Sequence, residues 1–75
     1  MNTQEFEEQL RRYLQQEPFQ PFEVELASGQ VIDVLHPKVV FGGGGASFLT
    51  DSYELVEFNC EDVRAFRPSL REATR

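Results

Sequence analysis

Two prolines divide this chain into a stretch with helical periodicity and a stretch with strand periodicity. No other feature constrains the fold as much. Pro18 and Pro21 lie in Glu17-Pro18-Phe19-Gln20-Pro21. Proline has no N–H to donate and pushes the residue before it toward extended geometry, so a helix cannot run through this pair. Before it, Phe6, Leu10, Tyr13 and Leu14 recur at i, i+4, i+7 and i+8, which is one face of a helix over residues 3–16. Asn2 and Glu5 have capping-box spacing, with Thr3 as a rival cap. Glu5, Glu7 and Glu8 near the start and Arg11 and Arg12 toward the end suit the helix dipole. The pairs Glu7–Arg11 and Glu8–Arg12 add i,i+4 support.

After the prolines the period becomes 2. Phe22, Val24 and Leu26 alternate with Glu23, Glu25 and Ala27, as in a half-buried strand, and Ser28-Gly29 is a turn. Gln30 to Leu35 is apolar on both faces, and His36-Pro37 breaks or bends it. Val39-Val40-Phe41 is a short apolar piece. Gly42 to Gly45 reads as a flexible tip, because glycine loses more backbone entropy on ordering than any other residue. Strands follow at Ala46–Thr50, Tyr53–Phe58 and Val63–Arg67, the last stopped by Pro68. Residues 68–75 read as a flexible tail.

One helix followed by five short strands fits a single domain spanning residues 1–75. The class is mainly β with one N-terminal α-helix. The expected architecture is a small five-stranded antiparallel barrel of the Sm or SH3 type over residues 21–67, with an open four-stranded α+β sheet as the alternative. A core below about 70–80 residues rarely supplies more than roughly 3–5 kcal/mol. A single cysteine gives no internal disulfide, while nine aromatic residues are generous for a lone small core. Self-association is therefore the expected remedy. The lone cysteine and the absence of a visible signal segment or apolar run of ~20 residues fit the cytoplasm and no membrane partner.

Pro18-Phe19-Gln20-Pro21-Phe22, the Leu26-x-x-Gly29 turn and His36-Pro37 resemble a group of short bacterial proteins of unknown function. Those combine a helix, a PFxPF connector, a hairpin and an HP step. The layout also resembles the Sm-like family that includes the bacterial RNA chaperone Hfq. Pro21 to Gly29 is similar to that family's opening strand, and Val63 to Pro68 to its closing strand. The resemblance implies a ring-forming barrel whose last two strands join neighbouring subunits. The family's RNA-contacting Tyr-Lys-His step falls here on Asn59, Cys60 and Glu61. An acid and a thiol replace a basic stacking site, so the resemblance carries over the fold and not the RNA site.

The charge argues in the same direction. Net charge is −6, with three basic and twelve acidic residues over positions 1–63. Phosphate affinity comes mainly from Lys and Arg, so nucleic acid is a disfavoured partner. Only a C-terminal strip, Arg64, Arg67 and Arg71, offers an anion contact. No Cys-x-x-Cys or His-x-x-His spacing exists, so no metal or other cofactor is expected. Cys60 and His36 are the only pair that suggests nucleophilic chemistry, and Glu61 and Asp62 beside Cys60 disfavour its thiolate. His36, before a proline, reads as a structural residue at a strand bend. The glycine run lacks the Lys-Ser/Thr of a phosphate loop. The expected function is thus a non-enzymatic module that contacts copies of itself, or a protein partner, through Tyr53, Leu55, Val56, Phe58, Val63 and Phe66.

Overall fold

A computed structural model describes residues 1–69. The helix α1 spans Thr3–Leu14, two residues shorter than its apolar period suggests. Asn2 is the N-cap: its side chain accepts the Glu5 N–H at 2.8 Å. The next apolar residue past Leu14 is Phe19, which packs beside Phe22 rather than on the helix face. Six strands follow: β1 (Phe22–Leu26), β2 (Val31–Val34), β3 (Val40–Gly42), β4 (Gly45–Leu49), β5 (Leu55–Asn59) and β6 (Val63–Pro68). They form two antiparallel three-stranded sheets, in the orders β2-β1-β6 and β3-β4-β5.

The architecture is therefore mainly β with one N-terminal helix, but the sheets are not closed into a barrel, and they are two rather than one open sheet. Two local causes are visible. The expected second strand stops at Val34 because the chain turns at Pro37, where the Val39 N–H bonds back to the Pro37 carbonyl at 3.0 Å. It resumes as β3, the piece that looked too short to count. The second cause is that β5 and β6, although joined by a short turn with Asp62 N–H on Asn59 O at 3.0 Å, do not pair with each other, which leaves the sheets separate.

Alternation along each strand decides what is buried. Phe22, Val24, Val34, Ala46, Phe48, Phe58, Val63 and Phe66 face inward and meet Phe6 and Leu10 of the helix. A fully buried Phe, Leu or Val contributes about 1.5–3 kcal/mol. Phe6 joins the layers: its ring lies 6.0 Å from Phe58 on one sheet and 5.9 Å from Phe66 on the other. Tyr13 stacks on Phe22 at 4.8 Å, which fixes the far end of the helix over β1.

The glycine run is a tight hairpin turn and not a loose tip. Gly43 and Gly44 both have positive φ, +62° and +87°, the pairing favoured by two-residue hairpin loops. Gly44 is buried. Its N–H donates to Glu7 Oε2 at 3.2 Å, and its carbonyl accepts the Cys60 N–H at 2.7 Å. The turn is thereby tied to both the helix and the β5–β6 turn. The C-terminal strand also runs one residue past Arg67, and Ser69 N–H bonds to Pro21 O at 3.2 Å. The rest of the expected tail lies outside the described residues.

Three substitutions test this account by thermal unfolding. Truncating a buried Phe costs about 3–5 kcal/mol, as much as a core this size supplies, so Phe6→Ala is expected to be unfolded at 25 °C. At the turn, an L-residue in left-handed geometry costs roughly 1–2 kcal/mol. At Gly44 an added Cβ would also lie 3.2 Å from both Cys60 Sγ and Thr3 Oγ1, whereas at Gly43 it meets nothing within 4 Å. Gly44→Ala should therefore lower Tm clearly more than Gly43→Ala, and equal effects would show that the turn is not held against the helix.

Candidate functional site

The residues expected to bear function fall into three places. The first is the arginine strip. The register of β6 on β1 sets Arg67 opposite Glu23. The Arg67 guanidinium bonds Glu23 at 2.9 Å and also Glu25, and Arg64 reaches Glu25 at 3.5 Å. The hydrogen bond from Arg67 is the largest cause holding the Glu25 carboxyl below its ordinary pKa; burial opposes it, and the charges of Arg67 and Arg64 add to the lowering. The same two acids raise Arg67. Two of the three arginines offered as anion contacts are thus neutralised by the chain's own first strand. Arg71 lies outside the described residues.

The second place is the pair Cys60 and His36. Cys60 is buried beside Thr3 and Gly44, at the Gly45 end of β4. His36 sits at the other end. Its Nδ1 accepts the Lys38 N–H at 3.2 Å, which leaves Nε2–H to donate to Leu49 O at 2.9 Å. That pattern holds the bend between β2 and β3 against β4. The length of β4, roughly 15 Å of extended chain, separates the two residues. They do not meet, and no nucleophile–base pair is assembled from them. Nor do three of His, Cys, Asp and Glu gather anywhere among the described residues. Asn59 and Glu61, the other positions aligned with an RNA-contacting step, belong to the turn itself: Asn59 Oδ1 accepts the Glu61 N–H at 3.2 Å.

The third place is the outlying pair of strands. β5 pairs only with β4, and β6 only with β1, so each has an open edge. The side chains of Phe58, Val63 and Phe66 belong to the chain's own core, which leaves only their backbone for a partner. Tyr53 and Leu55 are instead 84% and 61% exposed, and Val56 is half-buried. Leu49, directly opposite Leu55 on β4, is 51% exposed, and Val40 on the same outer face is 75% exposed. Sequence reading missed Val40 and Leu49, since their exposure follows from a register that alternation alone does not reveal.

Tyr53 has a further property. Its φ is +65°, and it is the one non-glycine residue among those described in that region. For a bulky side chain this costs on the order of 1–2 kcal/mol. The turn that imposes it is built on Thr50, whose carbonyl accepts the Tyr53 N–H at 2.9 Å and whose hydroxyl accepts those of Ser52 and Glu54. Asp51, Glu54 and Glu57 surround this end of the sheet and have no ion pair among the described residues. In comparisons with known proteins, the chain matches no family profile, no curated protein and no solved structure. Among the described residues no helix is long and apolar enough to cross a membrane.

The Glu25–Arg67 pair makes a pH prediction. A carboxylate whose folded pKa is depressed stabilises the fold above its unfolded pKa and loses that contribution as pH falls through the folded value. Glu25→Gln should therefore lower Tm at pH 7, and the gap to the parent chain should close below the ordinary carboxylate range. The pair is partly exposed, so added salt should shrink the same gap. A gap constant from pH 7 to 3 would exclude the ion pair as its cause.

Proposed function

We propose that the chain is a non-enzymatic, Sm-like small barrel that works in the cytoplasm as an oligomeric protein-interaction module. The observation that carries this reading is that β5 and β6, consecutive in the chain and two of the four edge strands (β2, β3, β5 and β6), each leave an edge open. An open edge presents unpaired N–H and C=O groups and is a template for another strand. Here the two edges differ in charge. β5 is bordered by Glu54, Glu57 and Glu61, while β6 carries Arg64 and Arg67. β5 on β5 would set acid beside acid, whereas β5 of one copy on β6 of the next meets arginines already balanced by Glu23 and Glu25, so that arrangement avoids repulsion.

The barrel reading has support in the strand order. If β2 and β3 are taken as two halves of one strand bent at His36–Lys38, the orders β2-β1-β6 and β3-β4-β5 follow from a five-stranded meander whose last strand returns to the first. Nucleic acid fits less well, since Arg64 and Arg67 already bind Glu23 and Glu25.

Light scattering after size exclusion tests the proposal. The parent chain should elute as a closed oligomer at micromolar concentration. Leu55→Lys, which places a charge on the edge strand, should shift it toward monomer with little change in Tm, because Leu55 is exposed in the single chain. A monomer at 100 μM (~10² μM being well above cellular-scale affinities) would sink the oligomer.

A further inference from the structure

We propose that the outer face of the β3-β4-β5 sheet, at its Tyr53 end, docks an extended segment of a different protein, one in which a lysine or arginine is flanked by apolar residues. The proposal uses the face of β5 and not its edge, so it stands or falls separately from self-association.

Three observations converge there. The register sets Val40, Ser47 and Glu57 in one row across the outer face, with Leu49 and Leu55 in the next. Val40, Ser47, Leu49 and Leu55 line a surface depression of about 510 Å³. This apolar strip belongs to no core in the single chain. Beside it, Tyr53 is held at φ +65° with its side chain 84% exposed. Asparagine or glycine would occupy that backbone position with less strain. The fold gains no burial from the ring in return, and exposed tyrosines beside apolar groups are typical anchors of protein interfaces.

Charge then selects the occupant. The acids of the other sheet, Glu23 and Glu25, are bound by Arg64 and Arg67. Here Glu57 shares the outer face with Val40 and Ser47, and Asp51 lines the depression; neither has an ion pair among the described residues, and Lys38 is the one lysine or arginine lining the depression. A second copy laid on this face would set its own Asp51 and Glu57 against these. A cationic partner is attracted by the same groups. An extended segment fits better than a helix because side chains on a sheet face repeat at every second residue. An apolar residue over Leu49 and Leu55 then brings its second neighbour, a Lys or Arg, toward Glu57.

The test uses the full chain, labelled with ¹⁵N, and the synthetic octapeptide Val-Ser-Lys-Ser-Val-Ser-Lys-Ser, in which valine and lysine share one face of an extended segment. The expected result is shifts of the Val40, Ser47, Leu49, Leu55 and Glu57 amides, and none with the glutamate-for-lysine peptide. Tyr53→Asn should weaken binding at least tenfold while raising Tm by several degrees. A merely structural tyrosine would not show that opposition. Glu57→Gln should weaken binding several-fold, and Glu17→Gln, which removes the same charge far from the face, should not. Shifts confined to other surfaces, equal effects of the two glutamine variants, or a lower Tm for Tyr53→Asn would each overturn the proposal. So would concentration-dependent shifts without peptide at Ser47 and Leu49 of the central strand β4, away from the β5 edge, which would assign the face to a second copy.

Discussion

The structure depends on one side chain touching both sheets. With β5 and β6 unpaired to each other and the chain broken at Pro37, no backbone ladder ties β2-β1-β6 to β3-β4-β5. Phe6 takes that role: it has no exposed surface and lies against Phe58 and Phe66, one from each sheet. The helix is therefore part of the core and not an appendage to a preformed barrel. Its own hydrogen bonds would not hold it, since isolated helices of 12 residues are marginal in water. Helix and sheets form together, or the two sheets have no common core.

That dependence explains which parts of the fold were legible in the sequence. Alternation names the inward residues of β1 and the helical period names Phe6 and Leu10, because both signals are local. Pro18 and Pro21 mark the change of period for an equally local reason. The glycine run was misread because its order comes from distant partners. Nothing near Gly44 in sequence announces that Glu7 will accept its N–H or that Cys60 will donate to its carbonyl. β3 was passed over for the same reason: three residues become a strand only once β4 is paired beside them.

The candidate site was legible in composition and illegible in placement. An acidic body and a basic end are evident from the counts. Which acids meet which arginines is decided by the β1–β6 register, and that register consumes Glu23, Glu25, Arg64 and Arg67 together. Among the described residues, Glu57 on the outer face of the other sheet is left without an ion pair, so the two sheets differ in how their charge is balanced. Cys60 and His36 show the converse. They are the chain's only cysteine and only histidine, yet the fold gives each a local structural task at opposite ends of one strand.

The turn between the two open edges matters as much as the edges. In head-to-tail assembly, the angle between a subunit's two interfaces decides whether copies close into a ring or grow into a filament. In the proposed assembly through β5 and β6 that angle would be set at Asn59 to Val63, a turn pinned from several sides. Gly44 accepts the Cys60 N–H, the Met1 amine donates to the carbonyls of Cys60 and Val63, and Thr3 touches Cys60 Sγ. A loose turn would let successive copies add at varying angles, which favours open and irregular assemblies. A turn clamped by the helix start and by a buried glycine fixes one angle for every copy. In the assembly proposed above, the glycine hairpin, the first turn of the helix and the buried cysteine would act without touching a neighbour, through the geometry of the two strands they hold apart.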